Sequence, residues 1–162
     1  MLDYVKFFYS VYKDIGSEAK QHGFLRSIIL SEARFNNDLC EVILRSKPPD
    51  IAKTSPEIFR EFQTSSFELL GSLGVPPYTI LSGDREPSEE DLSNLEGSRK
   101  TLKNYEDRPQ VELYEFYVRK CRLLSALANS GSISTAKISL TTRVKNIEYA
   151  TRFLSKELAS PA

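Results

Sequence analysis

Histidine is almost missing from this chain: His22 stands alone among 162 residues. Histidine is the commonest general base and metal ligand near neutral pH. Its scarcity excludes paired Glu-x-x-His diiron sites, H-E-x-x-H zinc sites and the many-histidine metal hydrolases. No glycine-rich phosphate loop, dinucleotide fingerprint or G-x-S-x-G elbow occurs. There are two cysteines and no C-x-x-C pair, so no disulfide framework is indicated. Seven glycines and little strand-type alternation lean the chain towards helix. No apolar run approaches the ~18 residues that span a bilayer, and the first residues lack the layout of a signal peptide. A reducing, cytoplasmic setting is expected.

What the chain does have is apolar residues at helical spacing. Val5, Phe8, Tyr12, Ile15 and Ala19 alternate steps of three and four, as do Leu25, Ile28, Phe35, Leu39 and Val42 with Glu32 between. One continuous helix over residues 2–46 is favoured over two helices meeting near residues 21–23. Pro48 and Pro49 close that segment. Ser55, Pro56 and Glu57 form a helix start, and Ile58, Phe59, Phe62, Phe67, Leu70 and Leu73 form its face up to a stop at Gly74. Residues 75–85 suit a loop with Tyr78, Ile80 and Leu81 against the core. Ser88 and Asp91 begin a helix through Leu92, Leu95, Leu102 and Tyr105. After Pro109, Leu113, Phe116, Tyr117, Cys121, Leu124 and Leu127 mark another, stopped at Asn129, Ser130 and Gly131. Leu140, Val144, Ile147, Leu154 and Leu158 mark the last, ending near Ala159. The fold class expected is all-α: one domain over residues 1–162, a bundle of five to six helices with a long N-terminal helix.

Charge is balanced overall, 22 basic and 22 acidic residues, but unevenly spread. Residues 47–108 carry eight basic and twelve acidic groups; residues 109–162 carry eight and four. Arg119, Lys120, Arg122, Arg143, Lys145 and Arg152 are candidates for a charged partner surface if the last two helices are neighbours. A pI of about 6.6 lies far below the basic range of a dedicated nucleic-acid binder, so nucleic acid is not favoured. Lys6, Lys13, Lys20 and Arg34 would drift along one side of a continuous helix, interspersed with acids as on a solvated face. Glu86, Glu89, Glu90 and Asp91 match helix-start electrostatics rather than a calcium loop. Cys121 is flanked by cations that could lower its pKa, but it shares a face with Tyr117 and Leu124 and is expected inside.

The most unusual segment is the first. Tyr4, Phe7, Phe8, Tyr9 and Tyr12, with Val5 and Val11, leave little polar side on its first turns. Such a helix is buried on several sides, centrally in the bundle or between two chains; docking at a membrane interface beside Lys6 and Lys13 is the least favoured reading. Tyr4, Val5, Phe8, Tyr9 and Tyr12 are therefore the candidate self-association residues, and Phe8→Glu is the substitution expected to separate a dimer. The leading expectation is a non-enzymatic interaction module, an adaptor, regulator or immunity-type binding protein, acting as a homodimer without catalytic residue, metal or cofactor. The alternative is a nucleic-acid-binding regulator using the last two helices. An enzyme with an unusual carboxylate or tyrosine site ranks last, to be revived by a pocket lined with convergent polar groups.

Overall fold

The computed structural model describes residues 2–45, 56–81, 109–133 and 139–159. Every regular element among them is a helix: α1 (Leu2–Asp14), α2 (Glu18–Arg45), α3 (Pro56–Arg60), α4 (Ser65–Leu73), α5 (Pro77–Leu81), α6 (Gln110–Asn129) and α7 (Leu140–Ala159). The all-α bundle is borne out, and its long N-terminal helix is α2. Ser55, the Pro48 and Pro49 break, the turn at Ser82, Gly83 and Asp84, the helix from Ser88 to Tyr105 and the acidic group at Glu86, Glu89, Glu90 and Asp91 lie outside the described residues.

Residues 2–46 are not one helix. The break falls at residues 15–17, not at residues 21–23. Gly16 and Ser17 supply the corner, and the carbonyl of Ser17 opens α2 by accepting from the Gln21 amide N–H at 2.9 Å. The Gln21 side chain turns back and donates to the Ile15 and Tyr12 carbonyls at 3.1 and 3.4 Å. It thereby satisfies acceptors that the end of α1 leaves without helical partners. The corner lets α1 fold back onto α4, so Val5, Phe8 and Tyr12 pack against the core rather than project beyond it.

The buried line of α2 also differs from the apolar series. It runs Leu25, Ile29, Glu32, Ala33, Asn36, Cys40 and Ile43. Phe35 and Val42 face outward, 40% and 54% exposed. The whole stripe is turned by about one residue, because Glu32 and Asn36 have fixed hydrogen-bond partners inside and Phe35 has none. Buried polar groups are tolerated when so satisfied.

Those two residues explain a further break. The single helix expected from Ser55 to Leu73 is divided into α3 and α4 by residues 61–64. The Asn36 amide donates to the Gln63 carbonyl at 2.7 Å and accepts from the Gln63 N–H at 2.9 Å. This pair of bonds replaces the helical bonds the backbone gives up there. Phe59 and Phe62 stay in the core, while Phe67 lies 37% exposed beneath the Arg122 guanidinium, 5.2 Å from its ring centre. Gly74 ends α4 at φ 67°, where a side chain would be strained, and the Val75 N–H reaches back to the Leu70 carbonyl at 3.0 Å.

α6 and α7 close the bundle. α7 packs on α2 and on α6, and α6 also carries α3. Leu113, Phe116, Tyr117, Cys121 and Leu124 of α6, with Val144, Ile147, Leu154 and Leu158 of α7, are buried as their spacing implies. Asn37 pins α2 to α7, donating to the Glu148 carbonyl and the Thr151 hydroxyl at 3.0 and 3.2 Å. Arg60 donates to the Ala128 carbonyl near the C-terminus of α6 at 3.1 Å, where a cation complements the helix dipole. Tyr78, Ile80 and Leu81 contact the core as expected, on the short helix α5 rather than a loop.

Candidate functional site

α2 carries Glu32 into the interior, where it is 4% exposed. Its carboxylate sits at the N-terminus of α4. One oxygen accepts from the Ser66 N–H at 2.8 Å and the Ser65 hydroxyl at 3.1 Å. The other accepts from the Ser66 hydroxyl at 2.6 Å and the Tyr117 hydroxyl at 3.1 Å. Thr64, at the N-cap position of α4, makes no side-chain cap of its own. Glu32 does that work from another helix, and the positive end of α4 favours its charge.

The proton inventory follows from these partners. Ser66 spends its hydroxyl proton on Glu32, so the Tyr114 hydroxyl, 2.9 Å away, donates to Ser66. Tyr114 and Tyr117 stack edge to face one turn apart on α6, with ring centres 5.6 Å apart. Four donors fill the four acceptor positions of an ionised carboxylate. Burial pushes the Glu32 carboxyl above its ordinary value, and the bonds from Ser66, Tyr117 and Ser65 partly restore it. Burial also drives both tyrosine hydroxyls upward, with the Glu32 charge adding to the effect. They remain neutral phenols. No acceptor on Glu32 is left over for a substrate proton, which separates this carboxyl from a working general base.

Beside this network opens a cavity of about 580 Å3 between α1, α2 and residues 60–65. Tyr4, Phe8, Phe24 and Ile28 form its apolar wall; Ser27, Ser31, Glu32, Glu61 and Thr64 are among its polar lining. Phe8 and Phe24 meet edge to face at 6.0 Å across the α1–α2 junction. The volume falls in the range of small-molecule sites.

The candidate self-association residues are divided by the structure. Val5, Phe8 and Tyr12 are half-buried against the core. Tyr4 and Tyr9 are 67% and 36% exposed, and Phe7, outside that set, is 62% exposed. At about 100° per residue, Phe7, Val11 and Tyr4 occupy one half of the apolar arc of α1, and Phe8, Tyr12 and Val5 the other. The second half packs against the core, whereas Tyr4 and Phe7 of the first stand exposed with Val11 half-buried between them. Phe8 is therefore a poor place for a charge meant to leave the fold intact.

The basic residues of α6 and α7 come partly together. Lys120 is 9% exposed, its ammonium 5.1 Å over the Phe116 ring. Its pKa is lowered first by burial, then by Arg143 and Arg119 nearby. Arg119 pairs with Glu115 at 3.2 Å and Arg152 with Glu148 at 3.5 Å. The Arg152 guanidinium also lies over the Tyr149 and Phe153 rings, and Arg122 covers Phe67. Lys145 is exposed and Arg143 half-buried. Lys6, Lys13, Lys20 and Arg34 are exposed, but the corner at residues 15–17 divides them between two helices.

His22 is half-buried on α2, 3.8 Å from Glu18 and away from the corner. Cys40 and Cys121 are buried free thiols. Burial pushes both upward, Cys40 further by Glu148 and Cys121 by Cys40 and Glu32. The cations flanking Cys121 in sequence do not activate it. Among the described residues no group of three or more histidines, cysteines or carboxylates is placed to hold a metal ion. No described helix is long and apolar enough to cross a membrane.

The residues that sequence reasoning passed over are Glu32, Asn36 and Tyr114. One signal was present: Glu32 interrupts an apolar series at a position where the spacing calls for a hydrophobe. A charged residue on a buried line asks for partners, and the serine pair Ser65 and Ser66 supplies them. Comparison with known proteins adds no name to this geometry: no family model matches the chain, and no curated protein or solved structure is significantly similar to it.

Proposed function

We propose that this chain is a non-enzymatic helical interaction module, of the adaptor or regulator kind, that forms a homodimer through the outward half of α1. The observation that carries the reading is the pair Tyr4 and Phe7. Two adjacent rings, each about two-thirds exposed, stand on a helix whose opposite half is packed inward. Aromatic residues are enriched at interface cores. Four such rings remove roughly 500 Å2 of apolar surface, about 12 kcal/mol gross, against an association cost of about 4–15 kcal/mol. The net is at best about −8 kcal/mol, so the expected dimer is no tighter than micromolar.

Light scattering after size exclusion, over a concentration series reaching tens of micromolar, tests this. A chain that stays monomeric throughout sinks it. Phe7→Glu is expected to give a monomer that melts like the native chain diluted below its association range, since Phe7 is outside the core.

A second reading, nucleic-acid binding through α6 and α7, is favoured by one observation: Lys120 feels the charges of Arg143 and Arg119. The carboxylates paired with Arg119 and Arg152 weigh against it. Titration with duplex and single-stranded oligonucleotides at two salt concentrations separates the readings, because phosphate binding must weaken steeply with salt.

A further inference from the structure

We propose that the cavity between α1, α2 and residues 60–65 is a binding site for an organic ammonium ion with an apolar or aromatic body. Three observations converge on it. The first is an apolar wall in which Tyr4, Phe8 and Phe24 come together, two of them in ring contact with Phe8. Aromatic faces attract cations, and more strongly where water is excluded.

The second is the charge of the lining. Among the described lining residues Glu32 and Glu61 stand with one cation, Arg60, whose guanidinium donates to the Ala128 carbonyl. The third is that Glu32 meets no counter-ion among the described residues. Its four partners are neutral donors, and among the described residues no lysine, arginine or histidine pairs with it. A buried carboxylate without an opposite charge is costly, and a cation brought into the cavity beside it recovers part of that cost. The hydroxyls of Ser27, Ser31 and Thr64, together with the exposed carboxylate of Glu61, supply acceptors for the ammonium hydrogens. Glu32, its acceptor positions filled, acts through its field. The volume accommodates a body larger than a single ring.

The reading shares Tyr4 with the proposed self-association face but does not require a dimer. The experiment titrates the full isotope-labelled chain with 2-phenylethylamine, with the neutral 2-phenylethanol and with the anionic 3-phenylpropionate, following amide resonances and heat. The amine is expected to shift the lining residues saturably and to bind about tenfold more tightly than the alcohol, with the acid weakest. Glu61→Gln, a surface substitution, and Glu32→Gln are each expected to weaken the amine severalfold and leave the alcohol unchanged. Should Glu32→Gln not fold, Glu61→Gln carries the comparison. An alcohol that binds as well as the amine, or no saturable shift into the millimolar range, overturns the proposal. Running the same titration on Phe7→Ser, which adds no charge beside the Phe8 wall, separates it from the dimer: amine binding is expected to persist when self-association is lost.

Discussion

α1 and α2 are consecutive helices separated by three residues, and they are held in different ways. α2 is tied by named hydrogen bonds to several elements: Arg26 to the Ile80 carbonyl of α5, Glu32 to α4 and α6, Asn36 to the α3–α4 link, Asn37 to α7. α1 rests on the half-buried Val5, Phe8 and Tyr12 and on the Gln21 corner. The greasier helix is the more exposed one. Apolar content says how much surface wants covering, while partnered polar residues decide which surface is fixed in place.

The contrast can be broken most severely at Glu32. Glu32→Ala leaves four donors without their acceptor and is expected to cost about 3–4 kcal/mol, read as a fall in the urea midpoint. A loss under about 1 kcal/mol would mean the network is not what anchors α2. On the α1 side, Phe8→Ala removes a half-buried ring and is expected to cost about 2 kcal/mol, less than a fully buried phenylalanine would; a larger loss than that of Glu32→Ala would invert the comparison.

A smaller effect sharpens it through pH. The folded Glu32 carboxyl holds its proton above the ordinary 4.5 of the unfolded chain. Between those two values the folded state binds more protons, so this group's contribution falls as pH rises through the window and stays low above it. The stability of the native chain relative to Glu32→Gln is therefore expected to decline as pH climbs from about 4.5; a difference independent of pH would contradict it. The smallest effect belongs to Phe7→Ser, expected to change monomer stability by under about 0.5 kcal/mol because that ring is 62% exposed and lies at the edge of the Phe8 contact.

The sequence made the helices legible wherever a buried face was wholly apolar. α6 and α7 follow their three-and-four spacing to within a residue or two, and Gly74 and Gly131 end their helices with positive φ. It failed where polar side chains enter the interior. Choosing large hydrophobes placed Phe35 and Val42 inside α2 and left Glu32 as an interruption, because periodicity weighs side-chain size and cannot see a partner 34 residues away. The same blindness joined α3 to α4, whose separation depends on Asn36. On α1 the aromatic set was visible, but which half the core would cover depended on a corner that Gly16 and Ser17 only hinted at. The cavity was not legible at all, since it is bounded by three separated stretches of chain.

The reach of Glu32 has a kinetic consequence. Its bonds to Ser66 and Tyr117 close chain separations of 34 and 85 residues, contacts whose entropic cost must be met before they return any energy. They are expected to form after the folding barrier is crossed. Tyr117→Phe should then quicken unfolding and leave the refolding rate nearly unchanged, making this cluster a latch on the lifetime of the folded chain rather than a guide to reaching it.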